Sequence, residues 1–385
     1  MNKTTASENY LIALYPNRGI TFTKGNGVYL YDQNGEKYLD LGSNYGVNIF
    51  GYNHPSITSA LQRQLNDLVN LHCSFNNQVR TQAAENLLKA TNGRLSKVFF
   101  SNSGAEAIEA ALKFARVATG KSHFIAMKNA YHGKTLGALS ATGGDRYRNP
   151  FLPLLWDFTH ITFGDTEELQ RSISNNTAAI MIEPVQGEGG IHIAPQEFYS
   201  QLQDICVRRN ILLIVDEIQS GVGRTGTFLA GEQFGLKPDI LCLGKGIAGG
   251  IPIGVTLVTK EISSKIPLHI HTSTFGGNPL ACAGILAVLK ELENGKIFDN
   301  VKELGRYLLD QLKSIDNPKI AEVRGLGLMV GMELKENATP VLRALQQERI
   351  IAIPAGSNIV RFLPPLIITK NELDKAISVL KRIYS

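Results

Sequence analysis

Leu212-Leu213-Ile214-Val215-Asp216-Glu217-Ile218-Gln219 and, further along, Asp239-Ile240-Leu241-Cys242-Leu243-Gly244-Lys245-Gly246 are the stretches that decide the fold class. Each is an apolar, largely branched run too short to make a stable helix, and each ends on a charged residue. The same pattern recurs at 98–100, 124–127 and 179–182. Between the runs lie segments of helical period, such as 105–116, where Ile108, Leu112 and Ala115 share one face. This alternation predicts an α/β fold with a mostly parallel central sheet covered by helices. In such a sheet, ligands bind beyond the carboxyl ends of the strands, where loops converge and helix N-termini point their amides. Chemistry-bearing residues fall at those ends: Ser101 and Ser103, then Tyr131, Glu183, Asp216 and Lys245.

The two chain ends read differently. Residues 28–41 predict a hairpin turning at Asn34-Gly35, and 322–334 and 359–363 predict strands between helices. The expected organisation is a large domain over 46–280 and a smaller α+β domain built from both ends, 1–45 and 281–385. No repeat and no Pro/Gly/Ser-rich linker separates them, so close packing is expected.

Composition narrows the function classes. With 385 residues, 43% hydrophobic and 19% charged, the chain has enough apolar surface for two packed cores, which excludes disorder. Its 39 basic and 34 acidic residues leave +5, scattered rather than gathered into arms, which argues against nucleic acid. Cys73, Cys206, Cys242 and Cys282 form no C-x-x-C pair, and three lie in apolar stretches, so buried reduced thiols are expected. The histidines show no metal-ligand spacing, and no metal is expected. Residues 1–10 lack a signal-peptide core, and no run approaches the roughly 20 apolar residues of a membrane helix. A reducing, cytoplasmic setting is the expectation.

Three segments carry candidate chemistry. In Ser101-Asn102-Ser103-Gly104-Ala105-Glu106 a strand ends and a helix starts, with Ser103 or Asn102 as N-cap. Such a start can seat a phosphate or can simply be a cap. Asp216 follows a run apolar enough to be buried, so it needs a cationic or hydrogen-bonding partner. A protonated pyridine nitrogen is one such partner; an arginine or a helix end is another. Lys245 ends a strand between glycines, where apolar walls would lower its pKa and free its amine for imine chemistry. Taken singly, it could equally be an exposed loop lysine. Two nucleotide motifs fail. Thr119-Gly120-Lys121-Ser122 has Ala115 where a phosphate loop needs glycine, and Gly325-Leu326-Gly327 lacks the third glycine and the strand-to-helix context.

Together these segments resemble the class III, fold type I pyridoxal-phosphate aminotransferases, and among them the acetylornithine aminotransferase family with its carrier-linked lysine and ornithine branch. The matching stretches include Ser103-Gly104-Ala105-Glu106-Ala107, Tyr131-His132-Gly133-Lys134-Thr135, Glu183-Pro184-Val185-Gln186-Gly187-Glu188-Gly189-Gly190, Asp216-Glu217-Ile218-Gln219-Ser220-Gly221, Gly244-Lys245-Gly246, Ser273-Thr274-Phe275-Gly276-Gly277-Asn278-Pro279 and Val323-Arg324-Gly325-Leu326-Gly327. The resemblance implies pyridoxal 5′-phosphate bonded to Lys245, with Asp216 on the pyridine nitrogen, Gln219 on the ring hydroxyl and Tyr131 on the ring face. Ser103, Gly104 and Ala105 would hold the phosphate, completed by Thr274 of a second subunit, which implies a homodimer. Ala105 stands where the family usually has threonine.

For substrates, the resemblance implies that Arg361 grips the α-carboxylate of glutamate and that Glu188 covers Arg361 when the amino donor binds. Lys134, where arginine is common, and Ser273 would take the remote carboxylate; lysine keeps the charge but loses the bidentate fork. The implied reaction moves the terminal amino group of N2-acetylornithine, or a related acylated ornithine or lysine, to 2-oxoglutarate, giving a semialdehyde and glutamate in arginine or lysine biosynthesis. An acidic amino-group carrier protein is a possible presenter of the donor. Ornithine or 4-aminobutyrate aminotransferases and glutamate-semialdehyde-type aminomutases are the competing readings.

Overall fold

The computed structural model describes residues 10–155, 157–293 and 295–385. At its centre is a seven-stranded sheet in the order Lys97–Ser101, Gly254–Val258, Ile240–Leu243, Leu212–Asp216, Thr177–Ile182, His123–Met127, Asp157–Ile161. All run parallel except Gly254–Val258, which is antiparallel to both its neighbours. The five strands expected from the sequence are present. Two others, Asp157–Ile161 at the edge and Gly254–Val258 inside, had no clear sequence signal: the first mixes polar and apolar residues, and the second begins with a glycine.

The central strands are buried throughout, as a sheet covered on both faces requires. Helix Gly104–Thr119 lies across Ile240–Leu243 and Gly254–Val258. It buries Ala107, Ile108, Ala111, Leu112 and Ala115, the face read from the sequence. Burying Ile108 and Leu112 stabilises the fold by about 1.5–3 kcal/mol each. Ser103 is its N-cap, accepting from Glu106 N, and left-handed Gly120 ends it. Helix Pro279–Leu292 packs on Pro55–Asp67, on Gln78–Ala90 and on the turn Lys245–Ala248.

Both chain ends build the remaining sheets. Phe22–Asn26, Tyr29–Asp32 and Lys37–Asp40 form an antiparallel meander, and Ile350–Ile351 joins it in parallel with Lys37–Asp40. Leu39 N and Leu41 N donate to Arg349 O and Ile351 O at 2.8 Å, so the N-terminal hairpin is stitched to the C-terminal region. The last sheet has the order Ile320–Leu326, Met329–Leu334, Ile359–Phe362, Ile353–Ala355. Residues 322–334, expected as strand, are a hairpin. It reverses at Gly327, whose φ of 55° suits glycine and where an added Cβ would lie 2.7 Å from Thr225 backbone. Cys206, Cys242 and Cys282 are buried and Cys73 is exposed; all four are free thiols. No helix among the described residues is long and apolar enough to cross a membrane.

Candidate active site

Asp216, the last residue of its strand, is 4% exposed, so its carboxyl lies in the interior. Its Oδ2 meets His132 Nδ1 at 2.7 Å, and its Oδ1 accepts from Ile218 N at 3.0 Å. The His132 side chain is fully buried. Burial disfavours its imidazolium, but the hydrogen bond and charge of Asp216, with the charge of Glu183, outweigh burial and raise its pKa. His132 was passed over in the sequence as part of a matching motif; only the fold brings it 84 positions along the chain to Asp216.

One strand over, Lys245 follows Gly244 in a left-handed conformation (φ 46°) that side chains other than glycine rarely adopt. Its pKa is lowered to about 8, chiefly by burial with Arg361 acting the same way, while Glu188, Asp216 and Glu183 oppose the fall. This is the lowered amine expected from its strand-end position, with burial as the main cause.

Glu183 directly follows the next strand on the other side, Thr177–Ile182. It is 6% exposed, accepts from Tyr131 N at 2.9 Å and from Gly187 N at 3.2 Å, and burial together with the charge of Asp216 pushes it up to about 7 against the opposing His132. Tyr131 packs edge-on against Tyr147, with centroids 5.5 Å apart, and burial raises its phenol to about 12. Lys134 is exposed, its Nζ 5.5 Å from the Tyr147 ring and 5.7 Å from the Tyr15 ring.

Arg361, on the strand Ile359–Phe362, is wholly buried and pairs with Glu188 at 2.7 Å. Its Nη1 also donates to Gln219 Oε1 at 3.1 Å and its Nη2 to Pro354 O at 3.0 Å. Burial opposes charge on Glu188, but Arg361, Lys245 and Gln219 outweigh it and hold the carboxylate below its usual range. The Tyr45 ring lies 5.5 Å from the Arg361 guanidinium, and Tyr45 O accepts from Gln219 Nε2 at 3.4 Å. Ser43, Asn44 and Tyr45 are all left-handed, with φ of 46°, 49° and 57°. Three such residues in a row carry strain of about 1–3 kcal/mol each, sustained by the surrounding structure. Sequence reading missed Tyr45, because nothing in Ser-Asn-Tyr announces that backbone.

At the sheet's edge, the helix beginning at Gly104 starts beside Ile218 and Gly244, and its first amides lack partners within the helix. A Cβ on Gly104 would lie 2.9 Å from Ile218, so only glycine lets the helix start so close to the Asp216 loop. Ser103 is exposed, and its hydroxyl accepts from Glu106 N as the N-cap, which leaves its O–H able to donate. Ser273 accepts from Asn102 Nδ2 at 3.2 Å and from Gly276 N at 2.9 Å, which brings Ser273 and exposed Thr274 beside this helix start. Among the described residues there is no group of three or more His, Cys, Asp or Glu that could hold a metal.

A helix N-terminus for a phosphate, a buried carboxylate for a ring cation and a lysine of lowered pKa are the donor set that pyridoxal phosphate needs, and they converge here. Comparison with known proteins agrees. The family described as Aminotransferase class-III matches residues 14–384. The chain is 42% identical to an acetylornithine aminotransferase of Aquifex aeolicus, covering 97% of this chain and 99% of that one. It is 39% identical to a [LysW]-aminoadipate semialdehyde transaminase of Deinococcus radiodurans, covering 99% and 89%. Its fold matches the ornithine aminotransferase of Toxoplasma gondii, solved with partial occupancy of PLP at its active site, at a TM-score of 0.94 with 32% identity, covering 98% and 92%. From a full-length match in sequence and fold it follows that this chain belongs to the acetylornithine aminotransferase family of the class III, pyridoxal-phosphate-dependent aminotransferases.

Proposed function

We propose that this transaminase takes the terminal amino group of N2-acetylornithine, or a closely related acylated ornithine or lysine, and delivers it to 2-oxoglutarate. The observation that carries the reading is the pair of buried Arg361 and partly buried Glu188, 2.7 Å apart and beside Lys245. An enzyme that alternates between a donor without a carboxylate near the reacting carbon and glutamate, which has one, needs a cation it can mask. Arg361 is that cation and Glu188 the mask. With glutamate, the substrate carboxylate takes the place of Glu188, and one ion pair replaces another at little net cost.

The remaining roles follow from chemistry and position. Lys245 would hold the cofactor and, once released, its neutral amine would take a proton from the donor's terminal carbon and pass it to the cofactor side, so that hydrolysis frees the semialdehyde and leaves the amino group with the cofactor. Bound pyridoxal phosphate supplies an electron-withdrawing ring that stabilises the charge left on that carbon. Asp216 would serve the ring nitrogen, and His132 holds its carboxyl in place from the other side. Gln219 serves the ring hydroxyl, Tyr131 covers the ring face, and Ser103, Gly104 and Ala105 hold the phosphate through the helix start. Thr274 reaches a partner's site in a homodimer, and Lys134 and Ser273 serve the remote carboxylate.

A panel of acetylornithine, ornithine, 4-aminobutyrate and a carrier-bound amine, assayed for glutamate formation from 2-oxoglutarate, tests the reading. Acetylornithine should lead; glutamate formed fastest from unacylated ornithine or 4-aminobutyrate would overturn it. The likeness to the Deinococcus radiodurans transaminase and the exposed Lys134 at the site's edge favour one second reading, an acidic carrier presenting the amine. That reading predicts a carrier-bound amine far ahead of free acetylornithine.

A further inference from the structure

We propose that Glu183 is a positioning residue that staples the loop beginning at Tyr131 to the turn carrying Glu188, and so sets the balance between the two substrates. The inference rests on the masking of Arg361 by Glu188 proposed above. Glu183 leaves the buried strand Thr177–Ile182 at its carboxyl end, and its two oxygens go to different segments. One accepts from Tyr131 N at 2.9 Å, the other from Gly187 N at 3.2 Å. Tyr131 opens the loop that continues to His132, the partner of Asp216, and to Lys134. Gly187 immediately precedes Glu188, the partner of Arg361.

Gly187 has little room to move. A Cβ there would lie 2.0 Å from Gln219 Oε1, so the turn is packed against the amide that also accepts from Arg361. The neighbouring Gln186 closes the same turn, with Gln186 N donating to His192 O at 3.0 Å and Ile191 N to Gln186 O at 2.8 Å. Gln186 Nε2 fastens the turn to Lys128 O at 2.9 Å. Glu183 is the tie between this turn and Tyr131, and at 6% exposed it is shielded from solvent. Only a carboxylate of this length offers two acceptor oxygens to both amides. A glutamine offers one oxygen and would turn its NH2 toward an N–H. Aspartate is one methylene short.

The consequence is directional. In a turn so closely packed, loss of the tie at Gly187 shifts Glu188 against Arg361 and weakens the mask. The donor half-reaction needs the mask and should suffer; the glutamate half-reaction needs Arg361 open and should not.

The test uses the holoenzyme and its Glu183→Gln and Glu183→Asp variants, with each half-reaction followed separately in single turnovers by the cofactor's absorbance. Free acetylornithine and glutamate are the probes. Loss of one hydrogen bond to a buried carboxylate should lower kcat/KM for the donor by about tenfold or more, with less than about threefold change for glutamate, in both variants. An equal fall in both half-reactions, or no fall in either, overturns the proposal. A variant that fails to fold is recognised by its thermal transition, and the other variant then decides. If the unaltered enzyme ignores acetylornithine but turns over another donor of the panel, the substrate reading fails, and Glu183 is tested with that donor.

Discussion

Lys245 sits among Glu188, Arg361, Asp216 and Glu183, yet burial dominates them all and brings its pKa from 10.5 to about 8. The neutral amine therefore prevails from about pH 8 upward. Protein stripped of its cofactor should take up pyridoxal phosphate at a rate that climbs about tenfold per pH unit and levels off near pH 8, followed by visible absorbance. A rise continuing toward pH 10 would contradict a buried amine. Glu188→Gln should cut turnover of the acylated donor by about tenfold or more and spare the glutamate half-reaction, as expected for loss of a buried charge partner. Glu217 shows the cost of burial most plainly. Burial pushes its carboxyl up to about 7 against hydrogen bonds from Ser220 and Gly231. A carboxyl raised on folding contributes stability that is complete below its ordinary pKa of 4.5 and lost as pH rises through about 7. Relative to the natural protein, Glu217→Gln should be more stable at pH 8 than at pH 5 in urea melts, by roughly 1–3 kcal/mol. Single residues were legible in the sequence where a strand end pointed to them, as with Asp216 and Lys245. His132 and Tyr45 were not, because one owes its role to a partner far along the chain and the other to an unusual backbone.

The helix Gly104–Thr119 and the strands ending at Ile182, Asp216 and Leu243 set the geometry that individual side chains exploit. The helix start depends on close approach to Ile218, so Gly104→Ala should displace its first turn. Overpacking there should cost about 1–3 kcal/mol and weaken cofactor retention about tenfold, measured by equilibrium dialysis. Unchanged retention would remove the helix start from the phosphate seat. At this scale the sequence was read well where periodicity was strong. It failed at Asp157–Ile161, whose mixed pattern has no clean period, and at Gly254–Val258, whose antiparallel insertion no local signal could reveal. The hairpin at 322–334 was blurred because Gly325, Gly327 and Gly331 are spread through it, so no single turn signal separates the arms.

Across the whole molecule, the N-terminal meander and the C-terminal strands close around the large sheet, and buried Arg224 fastens them by donating to Leu328 O and Pro364 O. Leu11, Ile12, Leu14, Leu268 and Phe275 remain exposed. An apolar surface of that kind, on a chain whose Thr274 is proposed to serve a partner, predicts a dimer in sedimentation at micromolar concentration. A monomer that is fully active would contradict the shared site. The general architecture was legible because alternating strands and helices can pack in few ways; a small domain built from both chain ends was expected too, but the pairing of Ile350–Ile351 with Lys37–Asp40 was not, since pairing between distant segments leaves no local trace. All of these expectations depend on a cofactor bonded at one lysine. Reduction of the purified enzyme with borohydride, followed by peptide mass mapping, tests that directly. The account predicts a stable pyridoxyl-phosphate adduct on Lys245 alone; an adduct on another lysine, or none on protein that turns over its substrates, would contradict it.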